Sequence, residues 1–178
     1  MSVAELLGRP GEYRDVRLAE PLGGVRTTLA RLTEGPLRGE LRAESVVEGI
    51  LMTGRVSGET VLQCSRCLQE FESEAFVDVC ELFVAPGHEL PGGQADDAYR
   101  VAGTVISLEP MLRDAVTLAL PLNPLCRGDC KGLCAHCGTD LNAGECSCVE
   151  EETDPRWAPL EQLRARLEED AEGPARSA

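Results

Sequence analysis

Nine cysteines stand at positions 64, 67, 80, 126, 130, 134, 137, 146 and 148 of a 178-residue chain. Eight of them fall in close pairs. Cys64-Ser-Arg-Cys67 and Cys134-Ala-His-Cys137 are Cys-x-x-Cys; Cys126 and Cys130 enclose three residues, and Cys146 and Cys148 enclose one. Three chemistries use such pairs. Disulfides need an oxidising compartment, and residues 1–11 hold no apolar run that reads as an export signal. A redox dithiol needs its pair on a thioredoxin-like βαβ unit with a lowered thiol pKa, and neither pair opens a helix in that pattern. A metal needs several soft ligands converging from short chelating pairs, which is what the spacing offers. Four thiolates around zinc make a closed, tetrahedral, structural site, so the eight paired thiols predict two zinc ions.

Two pairings are open. In the first, Cys134, Cys137, Cys146 and Cys148 form a local ribbon-like site, and Cys64 and Cys67 join Cys126 and Cys130. In the second, Cys64 and Cys67 face Cys134 and Cys137 as opposed knuckles. Short loops cost less to close, which favours the first. Gly138 follows a Cys-x-x-Cys pair and can supply the positive φ that a metal-binding knuckle needs. Gly128, Gly132 and Gly144 are expected to let the backbone fold tightly around the thiols. Cys80 has no cysteine neighbour and reads as a small core residue in a strand. His136 lies between two ligands but is not needed as one, and His88 reads as surface.

The elements that must position these thiols follow from the patterning. Arg14–Ala19 alternates and reads as a strand; otherwise residues 1–36 are weakly patterned, with a short helical turn expected at Ala4–Leu7. From Leu37 apolar residues alternate through Leu41, Ala43, Ile50, Met52 and Val56, then again over Thr60–Cys64 and Glu70–Val84, with a turn expected at Gly58-Glu59. This is an antiparallel meander with one buried and one solvated face. Residues 85–100 read as loop. Ser107 is placed to cap a helix over Leu108–Leu120, whose apolar positions Leu108, Met111, Leu112, Ala115, Val116 and Ala119 follow the i, i+3, i+4, i+7 series. That face is expected to pack on the sheet rather than to offer a partner groove. Asp154-Pro155 reads as the start of a last helix to about Glu169, with Trp157, Leu160, Leu163 and Leu167 near one face. The fold class expected is α+β: an antiparallel, barrel-like meander, a packed helix, a cysteine-rich zinc module and a C-terminal helix. The expected division is a β-rich body over 1–120, the module over 121–149, and a linker, helix and tail over 150–178.

Composition limits the function. The longest apolar stretch, near Val116–Leu122, is far short of a membrane span, so a soluble cytoplasmic protein is expected. The formal charge is −14, and residues 64–178 carry twenty-two acidic against nine basic side chains. Such a surface repels phosphate, whereas non-specific nucleic-acid binders show a basic face; a basic protein partner fits better. No Gly-rich phosphate loop precedes a helix, and no Gly-x-Ser-x-Gly or His-Glu-x-x-His run occurs. Eight thiols divided into two fours leave a metal no open position for a water. No small-molecule substrate and no catalytic residue are expected.

Two segments carry a family resemblance. One is Cys64-Ser-Arg-Cys67-Leu68 followed by Phe71. The other runs from Leu120-Pro121-Leu122-Asn123-Pro124-Leu125-Cys126 through Asp129-Cys130-Lys131-Gly132-Leu133-Cys134 and Cys137-Gly138-Thr139-Asp140-Leu141-Asn142 to Cys146-x-Cys148 and Asp154-Pro155-Arg156-Trp157. Together they resemble the YceD family, named for accumulation of large-subunit ribosomal RNA. The resemblance implies a role in making or stabilising 23S ribosomal RNA and in large-subunit biogenesis, with precursor RNA or basic ribosomal and assembly proteins as partners. If RNA is touched directly, Arg66, Arg127 and Lys131, each beside a ligand cysteine, are the expected contacts. The competing readings are a zinc-dependent protein adaptor that touches no RNA and a redox-sensitive zinc switch.

Overall fold

The computed structural model describes residues 1–88, 98–148, 155–157, 159–160, 163–164 and 166–167. Five antiparallel strands form one sheet: β1 (Tyr13–Pro21), β2 (Ala30–Leu32), β3 (Pro36–Val46), β4 (Gly49–Gln63) and β5 (Glu70–Val84). β3, β4 and β5 make the expected meander. β1 adds to the free side of β3, with Val16 opposite Leu41. β4 is longer than β3, and the short β2 occupies the part of its edge beyond β3, with Ala30 opposite Leu62.

Alternation along the strands decides the two faces. Leu37, Leu41, Ala43, Ile50, Met52, Val56 and Phe83 point into an aliphatic core. The other face carries rows of charge, in which Arg17 meets Glu40, Arg42 meets Asp15, and Arg55 meets Asp78 at 2.6 Å. These pairs are solvent-exposed and add little stability.

Helix α1 (Leu108–Ala119) packs against β5, burying Met111, Leu112 and Val116. Its apolar face is therefore core, as expected, although Ala119 is exposed and Leu120, just past the helix, is buried instead. Ser107 does occupy the N-cap position, but its hydroxyl makes no capping bond. Leu120 turns extended before Pro121, as the proline ring requires of the residue ahead of it.

Three expectations change. The sheet is open, not barrel-like: β1 and β5 lie at opposite edges and do not pair with each other among the described residues, and α1 covers the inner face in place of closure. Gly58-Glu59 is not a turn. β4 runs straight through it, paired with β5 at Gly58 opposite Ala75 and Glu59 opposite Glu74, and the glycine is there because a Cβ would come within 2.9 and 3.0 Å of the Cδ1 atoms of Leu32 and Leu37. The first thirty-six residues supply, besides the strand expected at Arg14–Ala19, which is β1, the unforeseen β2, and the Met1 ammonium is tied to the Ile106 carbonyl at 2.7 Å. The C-terminal helix falls mostly outside the described residues, Asp154 included. What is described is the 3₁₀ turn Pro155–Trp157 and helical backbone at 159–160, 163–164 and 166–167. Trp157, Leu160, Leu163 and Leu167 are all exposed.

Candidate metal centres

Each Cys-x-x-Cys pair is held by the same turn. In the first, the Leu68 N–H donates to the Cys64 carbonyl and the Cys64 N–H to the Gln69 carbonyl, both at 2.9 Å. In the second, the Gly138 N–H donates to the Cys134 carbonyl at 2.9 Å and the Cys134 N–H to the Thr139 carbonyl at 2.8 Å. The residue after the second cysteine must take a positive φ, and it does so in both: Leu68 at 61° and Gly138 at 74°. The first turn grows from the end of β4 and leads into β5, so the sheet itself presents Cys64 and Cys67.

The eight thiols gather as two fours. Cys64, Cys67, Cys126 and Cys130 form one, Cys134, Cys137, Cys146 and Cys148 the other, with all sulfurs of each set within 4.8 Å of one another. This is the local arrangement rather than the opposed knuckles. Zinc–sulfur bonds of about 2.3 Å in a tetrahedron place the sulfurs about 3.8 Å apart. Cys64 Sγ lies 3.8 Å from Cys130 Sγ, and Cys67 Sγ lies 3.7 Å from Cys126 Sγ, so the donor set fits such an ion in both chemistry and spacing.

The surrounding electrostatics are those of a cation site. The Cys67 backbone N–H, aided by those of Cys126 and Arg66, draws Cys64 down to about 6, against the opposing effect of burial. Once one thiolate is present its neighbours resist: burial, then the neighbouring thiols, push Cys126 up to about 12. The second set repeats the split. The Thr139 hydroxyl, 3.1 Å from Cys137 Sγ, and the Thr139 N–H bring Cys137 to about 6, while sharing a proton with Cys137 raises Cys148 to about 12. Four thiolates cannot ionise together without a cation between them.

The two sets differ in setting. The first is wedged between the sheet and residues 124–133. Ser65 N–H donates to the Pro124 carbonyl at 2.8 Å, Leu133 N–H to the Arg66 carbonyl at 3.0 Å, and Arg66 Nη1 to the Cys130 carbonyl at 2.8 Å. Cys64 and Cys130 are buried. Gly132, at φ 79°, sits against Arg66, where a Cβ would lie 3.0 Å from the Arg66 carbonyl oxygen. In the second set Cys137 and Cys148 are exposed and Cys134 is only 9% exposed. Gly128 and Gly144 take no positive φ and have open space around them, so the tight folding expected of them is confined to Gly132 and Gly138.

Asn142 links the two sets and was not singled out by sequence reasoning. Its Oδ1 accepts from Arg127 Nη2 at 2.7 Å and from the Lys131 N–H at 2.8 Å, and its Nδ2 lies 3.5 Å from Cys130 Sγ. An Asp140-x-Asn142 turn, with Asn142 N–H on Asp140 Oδ1 at 2.9 Å, fixes it there. The Asp-x-Asn spacing between two cysteine pairs is the signal that could have found it. Arg66 and Arg127 thus spend hydrogen bonds on the framework, and Arg127 also lies 3.4 Å from Asp129; Lys131 is exposed. His136 and His88 are exposed and outside both sets. Cys80 is not a core residue: it occupies an outward position of β5 opposite Thr53 and is exposed. Among the described residues, no helix is long and apolar enough to cross a membrane.

Residues 52–164, which contain all eight clustered cysteines, match a family described as large ribosomal RNA subunit accumulation protein YceD. An uncharacterised protein of Mycobacterium tuberculosis is 37% identical over 166 residues, covering 92% of this chain and 80% of its own. The large ribosomal RNA subunit accumulation protein YCED homolog 1, chloroplastic, of Arabidopsis thaliana is 36% identical over 64 residues, 36% of this chain and 20% of that one. The uncharacterised protein YlbN of Bacillus subtilis is 28% identical over 129 residues, 72% of this chain and 74% of its own. No solved structure matches.

Proposed function

Because the chain belongs to the YceD family of large ribosomal RNA subunit accumulation proteins, we propose that it is a non-catalytic, zinc-stapled factor needed for 23S ribosomal RNA to accumulate and for the large subunit to form. The observation that carries this reading is the family match, which runs from β4 through both cysteine sets. Zinc, when bound, supplies a tetrahedral cross-link and offsets thiolate charge. Cys64, Cys67, Cys126 and Cys130 would hold one ion, and Cys134, Cys137, Cys146 and Cys148 the other. Four thiolates per ion leave no open position, which supports a structural rather than a catalytic role.

The net charge of −14 supports contact through a basic ribosomal or assembly protein rather than through bare RNA. The framework bonds of Arg66 and Arg127 argue the same way. Of the three cations expected to meet RNA, Lys131 retains an exposed side chain with no ion pair among the described residues.

The test is depletion of the protein followed by measurement of ribosomal RNA and subunit profiles. The expected result is loss of 23S RNA and of large subunits, restored by the intact chain and not by the Cys64→Ser/Cys67→Ser chain. Normal profiles after depletion would overturn the reading.

A further inference from the structure

β5 is an edge strand, and from Glu70 to Leu82 its outer edge is open among the described residues. The Val84 N–H and carbonyl bond to Tyr99 and Val101, on the side away from β4, whereas Ala85 N–H bonds to the Glu48 carbonyl of the β3–β4 turn. In an extended strand the N–H and C=O of one residue point the same way, and successive residues alternate. The register with β4 is unbroken from Gln63 opposite Glu70 to Gly49 opposite Val84. Glu70, Glu72, Glu74, Phe76, Asp78, Cys80 and Leu82 therefore all direct their backbone groups outward. None of these groups has a backbone partner among the described residues. The open run is roughly 40 Å long. It has no proline, no lysine and no bulge, the usual devices that stop an edge from accepting another strand.

The side chains beside that edge have a consistent chemistry. Glu70 is paired with Arg31 and Asp78 with Arg55, but Glu72 and Glu74 have no ion pair among the described residues, and Glu59 stands opposite Glu74. Phe76 comes next in the same row and is 64% exposed. Acids alone would serve to guard an edge. A guard has no use for an exposed phenylalanine at the centre of the row.

We propose that the open edge of β5 is a docking site for an extended, cationic segment of a protein partner, which adds to the sheet as a further strand. Main-chain bonds to the even-numbered residues 72–82 would hold it, as in other strand-addition complexes. Lysine or arginine would sit beside Glu72 and Glu74, and an apolar side chain beside Phe76. A second copy of this chain fits poorly. Pairing β5 with its own copy confronts the acidic row with itself. β1, the other edge, is shorter, ends in Pro21, and has Arg14 and Arg17 on opposite faces. The inference rests on the reading above that the partner is a basic protein.

The experiment uses the full, zinc-loaded chain and a synthetic peptide with lysine at every second position, threonine between, and one central phenylalanine. A scrambled peptide of the same composition is the control. The expected result is tighter binding of the alternating peptide, with slowed amide exchange at Glu72, Glu74, Phe76, Asp78 and Cys80. Ser73, Ala75, Val77 and Val79, already bonded to β4, should not change. Glu72→Lys/Glu74→Lys should weaken binding about tenfold. Phe76→Pro, which removes an outward N–H and the exposed ring but no bond to β4, should abolish the protection while the odd-numbered amides stay slow. Absence of binding, equal binding of the scrambled peptide, or binding with no protection at the even positions would overturn the proposal. Loss of 23S RNA on depletion together with any of those results would sink the docking site alone. Peptide docking with normal ribosomal profiles would sink the assembly role instead.

Discussion

The two cysteine sets share one turn and differ in what the turn is attached to. At Cys64–Cys67 the turn is a sheet hairpin, and its partners Cys126 and Cys130 come from 59 and 66 residues along the chain. At Cys134–Cys137 the partners lie within the same short run, 134–148. The first set is buried against the body; the second exposes two of its four thiols. The same local chemistry therefore does two jobs. One set gathers where residues 124–133 meet the turn between β4 and β5, and the other lies within a loop folded onto itself. Asn142, with the Leu141 N–H on the Gly132 carbonyl beside it, is where the second leans on the first.

Breaking the two sets must therefore give unequal results. With zinc in both, Cys64→Ser/Cys67→Ser removes a link that closes a loop of about sixty residues, a constraint worth roughly 4 kcal/mol. Urea unfolding followed by circular dichroism should show a fall of that order, with at least one ion lost per chain by metal analysis. A change under about 1 kcal/mol would mean that the long-range site does not staple the body.

The companion change, Cys137→Ser/Cys148→Ser, should also release one ion. It should leave unfolding of the sheet and α1 within about 1 kcal/mol of the parent, because the loop it closes lies outside that core. Amide exchange should quicken over residues 134–148 and stay slow in β3 and β4. Equal loss of stability from both double variants would erase the distinction between a staple and a local fold.

The grouping of the thiols into two fours was the part most legible in the sequence, because close pairs of thiols are a local signal and short loops close cheaply. The meander and α1 were legible for the same reason: periods of two and of three to four are written in adjacent residues. What required the structure was non-local. β1 beside β3 and β2 at the far end of β4 leave no trace in their own residues. Gly58 read as a turn because the leucines that demand a bare backbone there, Leu32 and Leu37, come from other strands. Cys80 read as core because strand alternation alone does not say which parity faces inward. Asn142 lay inside the recognised string without a role, since its partners Arg127, Lys131 and Cys130 meet it only when the ribbon folds back.

The finest difference between the sites is one residue in each turn. Leu68 holds φ 61° where the second turn has Gly138 at 74°. The left-handed region costs a residue with a side chain about 1 kcal/mol relative to glycine. Leu68 is 53% exposed, so it recovers little of that by burial. Leu68→Gly should therefore stabilise the first turn, less the extra freedom glycine gains in the unfolded chain, for a net effect of about 0.5 kcal/mol. Gly138→Leu should run the other way by a similar amount and appear in exchange of the 134–148 amides rather than in global unfolding. If Leu68→Gly instead destabilises the chain, the half-exposed leucine is holding something that the turn geometry does not need. Its place two residues before Glu70, at the start of the open β5 edge, makes the partner segment the first thing to look for.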